Sequence, residues 1–82
     1  MAVAHYKARP VAVNGSFVIT GQNIGAFLCR TAGNITVENA KGTKLIDAFP
    51  VAAGTLYDFS YFIGSGGGKF TAAGGASGTI GV

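Results

Sequence analysis

Apolar and polar side chains alternate along short runs of this chain, and the clearest of these runs begins at Gly33. Ile35 and Val37 alternate there with Thr36 and Glu38. A period of two is the spacing of a β-strand with one buried face, because successive side chains of a strand point to opposite sides of the sheet. The run therefore predicts a strand whose two aliphatic side chains face the core.

Two further runs follow a predicted turn at residues 39–43. Residues 44–49 form the first, and Pro50 is expected at a strand end or a sheet edge because proline has no backbone N–H to donate. Residues 55–63 form the second. One face of this run carries Tyr57, Phe59, Tyr61 and Ile63. Because the run is the most apolar in the chain, we predict that it is the central strand.

A hairpin signal occurs earlier in the chain, at Asn14 and Gly15. Both residues tolerate the positive φ of a type I′ turn, and short apolar runs flank them. Residues 24–31 then place apolar side chains on both faces, with Leu28 opposite to Phe27. This run predicts an inner strand that is covered on both sides.

Turn residues recur throughout the chain, with 14 glycines among 82 residues, and no helix is predicted. The pattern predicts an all-β fold, either a small antiparallel β-sandwich or a jelly-roll-like barrel of seven or eight short strands. Residues 10–82 are expected to form this single β domain. Residues 1–9 precede the first turn signal and are expected to form a slightly basic N-terminal arm.

The size of the chain makes outside stabilisation expected. An 82-residue core barely offsets the conformational entropy lost on folding, and such domains commonly rely on disulfides, a structural metal or self-association. Cys29 is the only cysteine and His5 the only histidine, so the chain offers neither an internal disulfide nor a clustered zinc site. No cofactor is expected, and oligomerisation or docking on a larger body remains.

The same inventory offers little to an enzyme. A hydrolase would need His5 to converge with a serine and a carboxylate, and Asp47 and Asp58 alternate with apolar neighbours as outward-facing strand residues do. Cys29 has no basic neighbour on its own face and is expected to be a small core residue. No apolar run approaches the roughly 18 residues of a membrane helix. We therefore expect a non-enzymatic protein that acts through its surface and not in a membrane.

A single-strand nucleic-acid-binding β-barrel is an alternative. Aromatic residues alternate along residues 57–62, and the net charge is +3. This hypothesis uses Tyr57, Tyr61 and Lys69. However, Asp58 interrupts the aromatic run, and the six Lys and Arg residues are dispersed along the chain. The pattern favours an aromatic core over a nucleic-acid partner.

Three stretches of strand and turn sequence resemble small structural proteins of tailed bacteriophages. Residues 33–43 contain a G-x-(I/V)-x-V strand and a glycine turn, residues 49–57 an x-P-x-x-A-G-x corner, and residues 75–82 a final strand rich in Gly, Ala and Thr. Proteins of this kind are head-decoration (cement) or spike-base proteins. The resemblance implies β-sandwich subunits that sit on the capsid as trimers or pentamers.

The expected function is therefore that of a capsid decoration protein on the surface of the virion. In this role the chain forms a homo-oligomer, binds the major capsid protein and stabilises the phage head. The candidate partner contacts lie on the arm and at outward strand positions: Tyr6, Lys7, Arg9, Lys44 and Phe62. A phage tail or fibre component is the alternative, and it differs mainly in its location on the virion.

Overall fold

The computed structural model describes residues 8–21, 23–64 and 66–82, with the side chains of residues 60–62 outside the description. Eight strands are found in these ranges, which agrees with the seven or eight predicted. They are β1 (Ala8–Val11), β2 (Ser16–Ile19), β3 (Asn23–Thr31), β4 (Gly33–Asn39), β5 (Lys44–Val51), β6 (Leu56–Phe62), β7 (Gly68–Ala73) and β8 (Ser77–Gly81).

The eight strands form two antiparallel sheets that pack face to face. Sheet I has the strand order β1-β8-β3-β6, and sheet II has the order β2-β7-β4-β5. Each of the first four strands pairs with one of the last four: β1 with β8, β2 with β7, β3 with β6 and β4 with β5. The chain is thus a long antiparallel ribbon folded across two sheets, which is the topology of a jelly roll. The predicted all-β sandwich class is confirmed.

The core lies between the sheets and is built from the inward positions of both. Phe70 of β7 is fully buried, and the centroid of its ring lies 5.7 Å from that of Phe17 and 5.5 Å from that of Phe27. Ile35 and Val37 are also fully buried, whereas the residues between and beside them are only partly covered. The alternation predicted for this strand is therefore confirmed.

One end of the sandwich is closed by hydrogen bonds between its turns. Oδ1 of Asn14 accepts a hydrogen bond from the Gly75 N–H at 2.7 Å, which joins the β1–β2 turn to the β7–β8 turn. Oγ1 of Thr31, at the end of β3, donates to the Gly75 carbonyl oxygen at 2.6 Å and lies 2.7 Å from the Ser77 hydroxyl. These bonds fix the two turns to each other and to the end of β3.

The hairpin predicted at Asn14 and Gly15 is wrong. The chain does turn there, since Asn14 has a φ of 54° and the Gly15 N–H donates to the Ala12 carbonyl oxygen at 2.8 Å. However, β1 pairs with β8 in sheet I, whereas β2 pairs with β7 in sheet II. A turn sequence specifies where the chain reverses, and the same local geometry serves a reversal within one sheet or between two. The long-range strand partners decide which of the two occurs.

The prediction that residues 55–63 form the central strand is also wrong. β6 lies at the edge of sheet I, and the glycine-containing β8 lies inside it. The centroids of the Tyr57 and Phe59 rings are 6.2 Å apart, and the Phe49 ring of β5 meets both of them edge-on. Tyr57 and Phe59 thus join the edge of one sheet to the edge of the other, which explains these two aromatic residues without a central position for the strand.

β3 is an inner strand, as predicted, but only one of its faces is covered. Phe27 and Cys29 are buried, whereas Leu28 on the other face is 51% exposed. A register shift against β6 lies between Ile24 and Ala26, and Ile24 joins Phe27 in the core. The expected cover on both faces is therefore absent at Leu28 in the single chain.

Each of the four edge strands carries a feature that limits pairing with another chain. β1 contains Pro10, β2 is only four residues long, and β6 is interrupted by the register shift opposite Ile24 and Ala26. β5 contains Pro50 and two register shifts against β4, and at one of these Ala48 has a positive φ of 49°. Prolines, short strands and bulges all hinder edge-to-edge addition of strands. The prediction that Pro50 marks a sheet edge is confirmed.

We expect Ala48→Gly to stabilise the protein. The left-handed conformation costs a residue with a Cβ atom about 1–2 kcal/mol, whereas glycine adopts it freely. Glycine also gives the unfolded chain more entropy, which offsets roughly 0.5–1 kcal/mol of this advantage. The free energy of unfolding should therefore rise by about 0.5–1 kcal/mol, and the measurement is a higher Tm. Ala73→Gly in β7, where φ is not positive, is the matched control and should lower the Tm. A lower Tm for both variants would contradict the bulge geometry.

The arm predicted at residues 1–9 overlaps the first strand. Ala8 and Arg9 belong to β1 and pair with Gly81 and Ile80 of β8. These two residues of the predicted arm are therefore strand residues of sheet I. Residues 1–7 lie outside the described part of the chain.

Candidate association surface

The outer face of sheet II has the polar character that contact with water favours. Glu38 of β4 lies between Lys69 of β7 and Lys44 of β5 in the strand register. In the next row, Thr36 lies opposite Thr71. Opposite charges and threonine pairs on neighbouring strands are favourable cross-strand contacts. Apart from Val18, which is 72% exposed beside Lys69 on the edge strand β2, this face follows the usual rule for an antiparallel sheet, with apolar residues inside and polar residues outside.

The outer face of sheet I breaks that rule. Four residues in register form one row across all of its strands: Pro10, Thr79, Leu28 and Leu56. Leu28 is 51% exposed and Leu56 is 62% exposed. We call these four residues the apolar row. It places large aliphatic side chains in water at positions where the opposite sheet has charges and hydroxyl groups.

A shallow depression lies on each side of the apolar row. The arginine depression, of about 300 Å³, is lined by Leu28, Cys29, Arg30, Gly54, Gly78 and Thr79. The alanine depression, of about 370 Å³, is lined by Ala8, Ala26, Leu28, Leu56, Thr79 and Gly81. The two depressions share Leu28 and Thr79, so the apolar row forms a ridge between them.

Small side chains account for this relief. In the row next to the apolar row, Ala8 lies opposite Gly81, and Ala26 lies opposite Asp58 of the edge strand. Alanine has a short side chain and glycine has none, so the side chains of Leu28 and Leu56 project further from the sheet than those of this row. The charged residues of this face, Arg30 and Asp58, lie one row to either side of the apolar row. Exposed apolar residues flanked by charges are a composition found at protein–protein interfaces.

Arg9, a predicted partner contact, is exposed in β1 but does not lie in the apolar row. It alternates with Pro10, so the two side chains leave opposite faces of the strand. The guanidinium carbon of Arg9 lies 5.9 Å from the centroid of the Phe17 ring. This geometry is that of a cation–π contact, which is worth about 0.5–1 kcal/mol at an exposed site. Arg9 therefore covers an aromatic ring at the margin of the core.

Lys44, the second candidate that the structure describes, lies on the other sheet. It begins β5 in sheet II, and its Nζ atom lies 4.0 Å from a carboxylate oxygen of the exposed Asp47. Tyr6 and Lys7 lie outside the described residues, as does the side chain of Phe62. The structure therefore does not bring Arg9 and Lys44 together into one partner surface.

Sequence reasoning missed the apolar row, although Leu28 carried a signal for it. Leu28 alternates with the buried Phe27 and Cys29, and an apolar residue at such a position indicates that something covers it. Leu56 alternates in the same way with the half-buried Tyr57. The pattern indicates that a cover exists but does not say whether the same chain or another molecule supplies it.

One nucleophilic residue, Cys29, lines the arginine depression. Cys29 is buried, its thiol donates a hydrogen bond to the Thr31 carbonyl oxygen at 3.0 Å, and burial raises its pKa above the ordinary value of 9.0. A thiol in this state is protonated at neutral pH and is a poor nucleophile. In residues 8–21, 23–64 and 66–82, no three Cys, His, Asp or Glu side chains gather in a position to hold a metal ion. The prediction that Cys29 is a small core residue is confirmed.

The described residues of the nucleic-acid hypothesis lie on different sheets. Tyr57 is half-buried in sheet I, its Oη accepts a hydrogen bond from the Ala52 N–H at 2.8 Å, and its ring meets Phe49 edge-on at 5.6 Å. Lys69 lies on the outer face of sheet II. The side chain of Tyr61 is outside the description. Tyr57 and Lys69 therefore do not share a surface on which a nucleic acid could lie.

Comparison with known proteins finds no match: no family model, no curated protein and no solved structure is similar to this chain. Within the described ranges there is no helix with the length and apolar character needed to cross a membrane. The function is therefore inferred from the surface of this chain itself.

Proposed function

We propose that this chain is a non-enzymatic structural protein of a tailed-phage virion, which decorates the capsid as a self-associating subunit. The observation that carries the proposal is the apolar row on the outer face of sheet I. Burying one large aliphatic side chain gains about 1.5–3 kcal/mol, and Leu28 and Leu56 forgo much of that gain in the single chain. Contiguous exposed apolar residues of this kind mark interaction sites.

The small size of the chain supports self-association as the source of its stability. Its core is limited by its 82 residues, and its cysteine is a free, buried thiol that forms no cross-link. Contact between subunits adds the apolar burial that one small core lacks. The guarded edge strands favour contact through a face of the sandwich over addition of a strand.

Two features favour a capsid among the possible structural settings. The first is the resemblance of residues 33–43, 49–57 and 75–82 to phage head-decoration and spike-base proteins. The second is the jelly-roll topology, which is common among capsid subunits and also occurs in lectins and cupins. Many copies held at symmetric sites bind with a high effective concentration, so that each contact needs only modest affinity. A subunit with a small, shallow apolar surface suits such an arrangement.

The proposal is tested on the virus particle. The chain is co-expressed with the major capsid protein encoded in the same genome, and heads are purified by density-gradient sedimentation. We expect the chain to sediment with the heads in a fixed ratio to the capsid protein and to appear in cryo-electron microscopy as density on their outer surface.

The alternatives predict different results in this experiment. Heads that form without the chain bound to them would contradict decoration, and density on tails of complete virions would assign the chain to a tail or fibre. Micromolar binding to oligonucleotides that weakens steeply with salt, without binding to particles, would support the nucleic-acid hypothesis instead.

A further inference from the structure

We propose that Asn14 is a deamidation site, and that the hydrogen bonds between the β1–β2 and β7–β8 turns suppress its reaction until these turns separate. The reaction is spontaneous, and the proposal does not depend on the function proposed above. It gives a chemical role to the Asn14-Gly15 pair, which is conspicuous in the sequence and has no part in the apolar row.

An asparagine followed by glycine is prone to lose its side-chain amide. The backbone nitrogen of the glycine attacks Cγ of the asparagine, a C–N bond forms, and the bond from Cγ to Nδ2 breaks. Ammonia leaves with the proton of the attacking amide, and a succinimide ring remains. Water then opens this ring at either of its carbonyl groups, which gives aspartate or isoaspartate. Water is the only other reactant.

The chain contains four asparagines, and only Asn14 precedes a glycine. Asn23 and Asn34 precede isoleucine, and Asn39 precedes alanine. Glycine has no Cβ atom to obstruct the approach of its nitrogen to the neighbouring carboxamide. In the unfolded chain Asn14 is therefore expected to react faster than the other three.

Both of the reacting groups are held in hydrogen bonds in the folded chain. Oδ1 of Asn14 accepts a hydrogen bond from the Gly75 N–H at 2.7 Å, and the Gly15 N–H donates to the Ala12 carbonyl oxygen at 2.8 Å. The first bond fixes the carboxamide against the β7–β8 turn. The second keeps the proton on the nitrogen that would attack. Deamidation therefore requires both bonds to break.

Backbone hydrogen bonds fix the same two residues a second time. The Asn14 N–H donates to the Ala76 carbonyl oxygen at 3.2 Å, and the Gly15 carbonyl oxygen accepts from the Ala72 N–H at 2.8 Å. We call the bonds of Asn14 to Gly75 and Ala76 the turn junction. It joins residues about sixty positions apart, so it exists only in the folded chain.

The turn junction can open while the core stays folded. Asn14 is exposed, and β1 and β2, which flank its turn, are four-residue strands at the edges of their sheets. Exposed turns and short edge strands open more often than the centre of a core does. The rate of deamidation should therefore report how often this end of the sandwich opens.

The two products have different effects on the turn. Aspartate retains a side-chain oxygen that accepts from the Gly75 N–H, whereas isoaspartate routes the main chain through its side-chain carbon and lengthens the turn. The lengthened turn does not keep both the bond to Gly75 and the bond between Gly15 and Ala12. We therefore expect isolated isoaspartate chains to have a lower Tm than the Asn14→Asp variant. Either product lowers the net charge of +3 by one.

The first measurement compares the folded chain with the same chain unfolded in guanidinium chloride, at one pH and one temperature. Ion exchange separates the deamidated chains, and peptide mass spectrometry identifies the asparagine that has reacted. Asn14 should react first in the unfolded chain and about tenfold or more slowly in the folded one, since opening breaks at least two hydrogen bonds. The Gly75 N–H should be protected from hydrogen exchange by a similar factor, because the same opening exposes it.

Thr31→Val tests the turn junction without changing the reacting pair. Oγ1 of Thr31 donates to the Gly75 carbonyl oxygen at 2.6 Å and thereby supports the turn to which Asn14 binds. Valine keeps the shape of the side chain and removes this bond. Loss of one hydrogen bond should raise the rate of deamidation at Asn14 in the folded chain by about 3- to 10-fold.

Two variants are the controls. Thr31→Ser retains the hydroxyl group and should deamidate at the wild-type rate. Asn39→Ala removes an oxygen that accepts from the Lys41 and Thr43 N–H groups in the turn at the opposite end of β4. It should lower the Tm but change the rate at Asn14 by no more than about twofold, since the two sites are far apart.

Several results would overturn the proposal. These are equal rates at Asn14 in the folded and unfolded chains, another asparagine that reacts first in the unfolded chain, and a wild-type rate in folded Thr31→Val. Equal acceleration by Thr31→Val and Asn39→Ala would do so as well, because the whole chain would then unfold before the reaction.

Hydrogen exchange of the wild type decides the matter if circular dichroism shows that Thr31→Val is unfolded. A protection of the Gly75 N–H that differs by more than about tenfold from the slowing of deamidation would contradict control by the turn junction. Binding of the chain to phage heads is a separate result, so failure of the proposed function leaves this proposal standing, and the reverse also holds.

Discussion

Phe70→Ala is expected to unfold the protein under conditions in which the wild type is folded. Phe70 is fully buried, and its ring packs against Phe17 of its own sheet and Phe27 of the other. Truncating a buried phenylalanine costs about 3–5 kcal/mol, because the cavity left behind adds to the lost transfer free energy. Proteins have a free energy of unfolding of roughly 0.05–0.15 kcal/mol per residue, which gives about 4–12 kcal/mol for an 82-residue domain. The substitution therefore removes a large part or all of the stability.

The measurement is urea unfolding followed by circular dichroism, with Phe49→Ala as the matched control. Phe49 is 38% exposed and meets the Tyr57 and Phe59 rings only at the edge of the sandwich. Its truncation should cost about 1–2 kcal/mol and leave a folded protein. Equal losses of stability in the two variants would contradict the placement of Phe70 at the centre of the core.

Gly78→Ala is expected to have the next largest effect. A Cβ atom on Gly78 would collide with the carbonyl oxygen of Leu28 on the neighbouring strand and lie 3.0 Å from two ring carbons of Phe27. The Leu28 oxygen belongs to a strand that is paired on both sides, so it cannot move aside without breaking the ladder. Overpacking of a core typically costs about 1–3 kcal/mol, and we expect the upper end of that range because the obstacle is backbone.

Gly21→Ala is the control for that substitution. Gly21 is exposed, an added methyl group would have no heavy atom within 4 Å, and the residue lies outside the positive-φ range that favours glycine. Alanine lowers the entropy of the unfolded chain, so the free energy of unfolding should stay the same or rise by about 0.4–1 kcal/mol at most. The Tm should accordingly be unchanged or slightly higher. A Gly78→Ala variant as stable as Gly21→Ala would mean that β8 does not lie against β3.

Turns with local chemistry were predictable from the sequence. The turn at residues 39–43 is an example: Oδ1 of Asn39 accepts hydrogen bonds from the N–H groups of Lys41 and Thr43, and Gly42 takes a φ of 81°. All of the groups involved lie within a few residues of one another. Asn and Gly are favoured in turns for these same reasons, so the sequence alone located the reversal.

The partners of strands were not predictable in the same way. Asn14 and Gly15 located a turn but not the crossing from one sheet to the other, and the aromatic run of β6 gave the wrong position within its sheet. The central place in sheet I belongs instead to β8 and β3, because Gly78 leaves room for the ring of Phe27. That complementarity joins residues about fifty positions apart, and no local window contains both of them.

The period of two along the strands and the chemistry of the turns determined, without any structure, that this chain is an all-β protein with Ile35 and Val37 in its core. These features are properties of neighbouring residues and of backbone geometry. The tertiary structure alone decided that Pro10, Thr79, Leu28 and Leu56 form one row, since they come from four strands scattered along the chain. A surface is created by the order of strands in a sheet, and that order is chosen by the packing of the whole core.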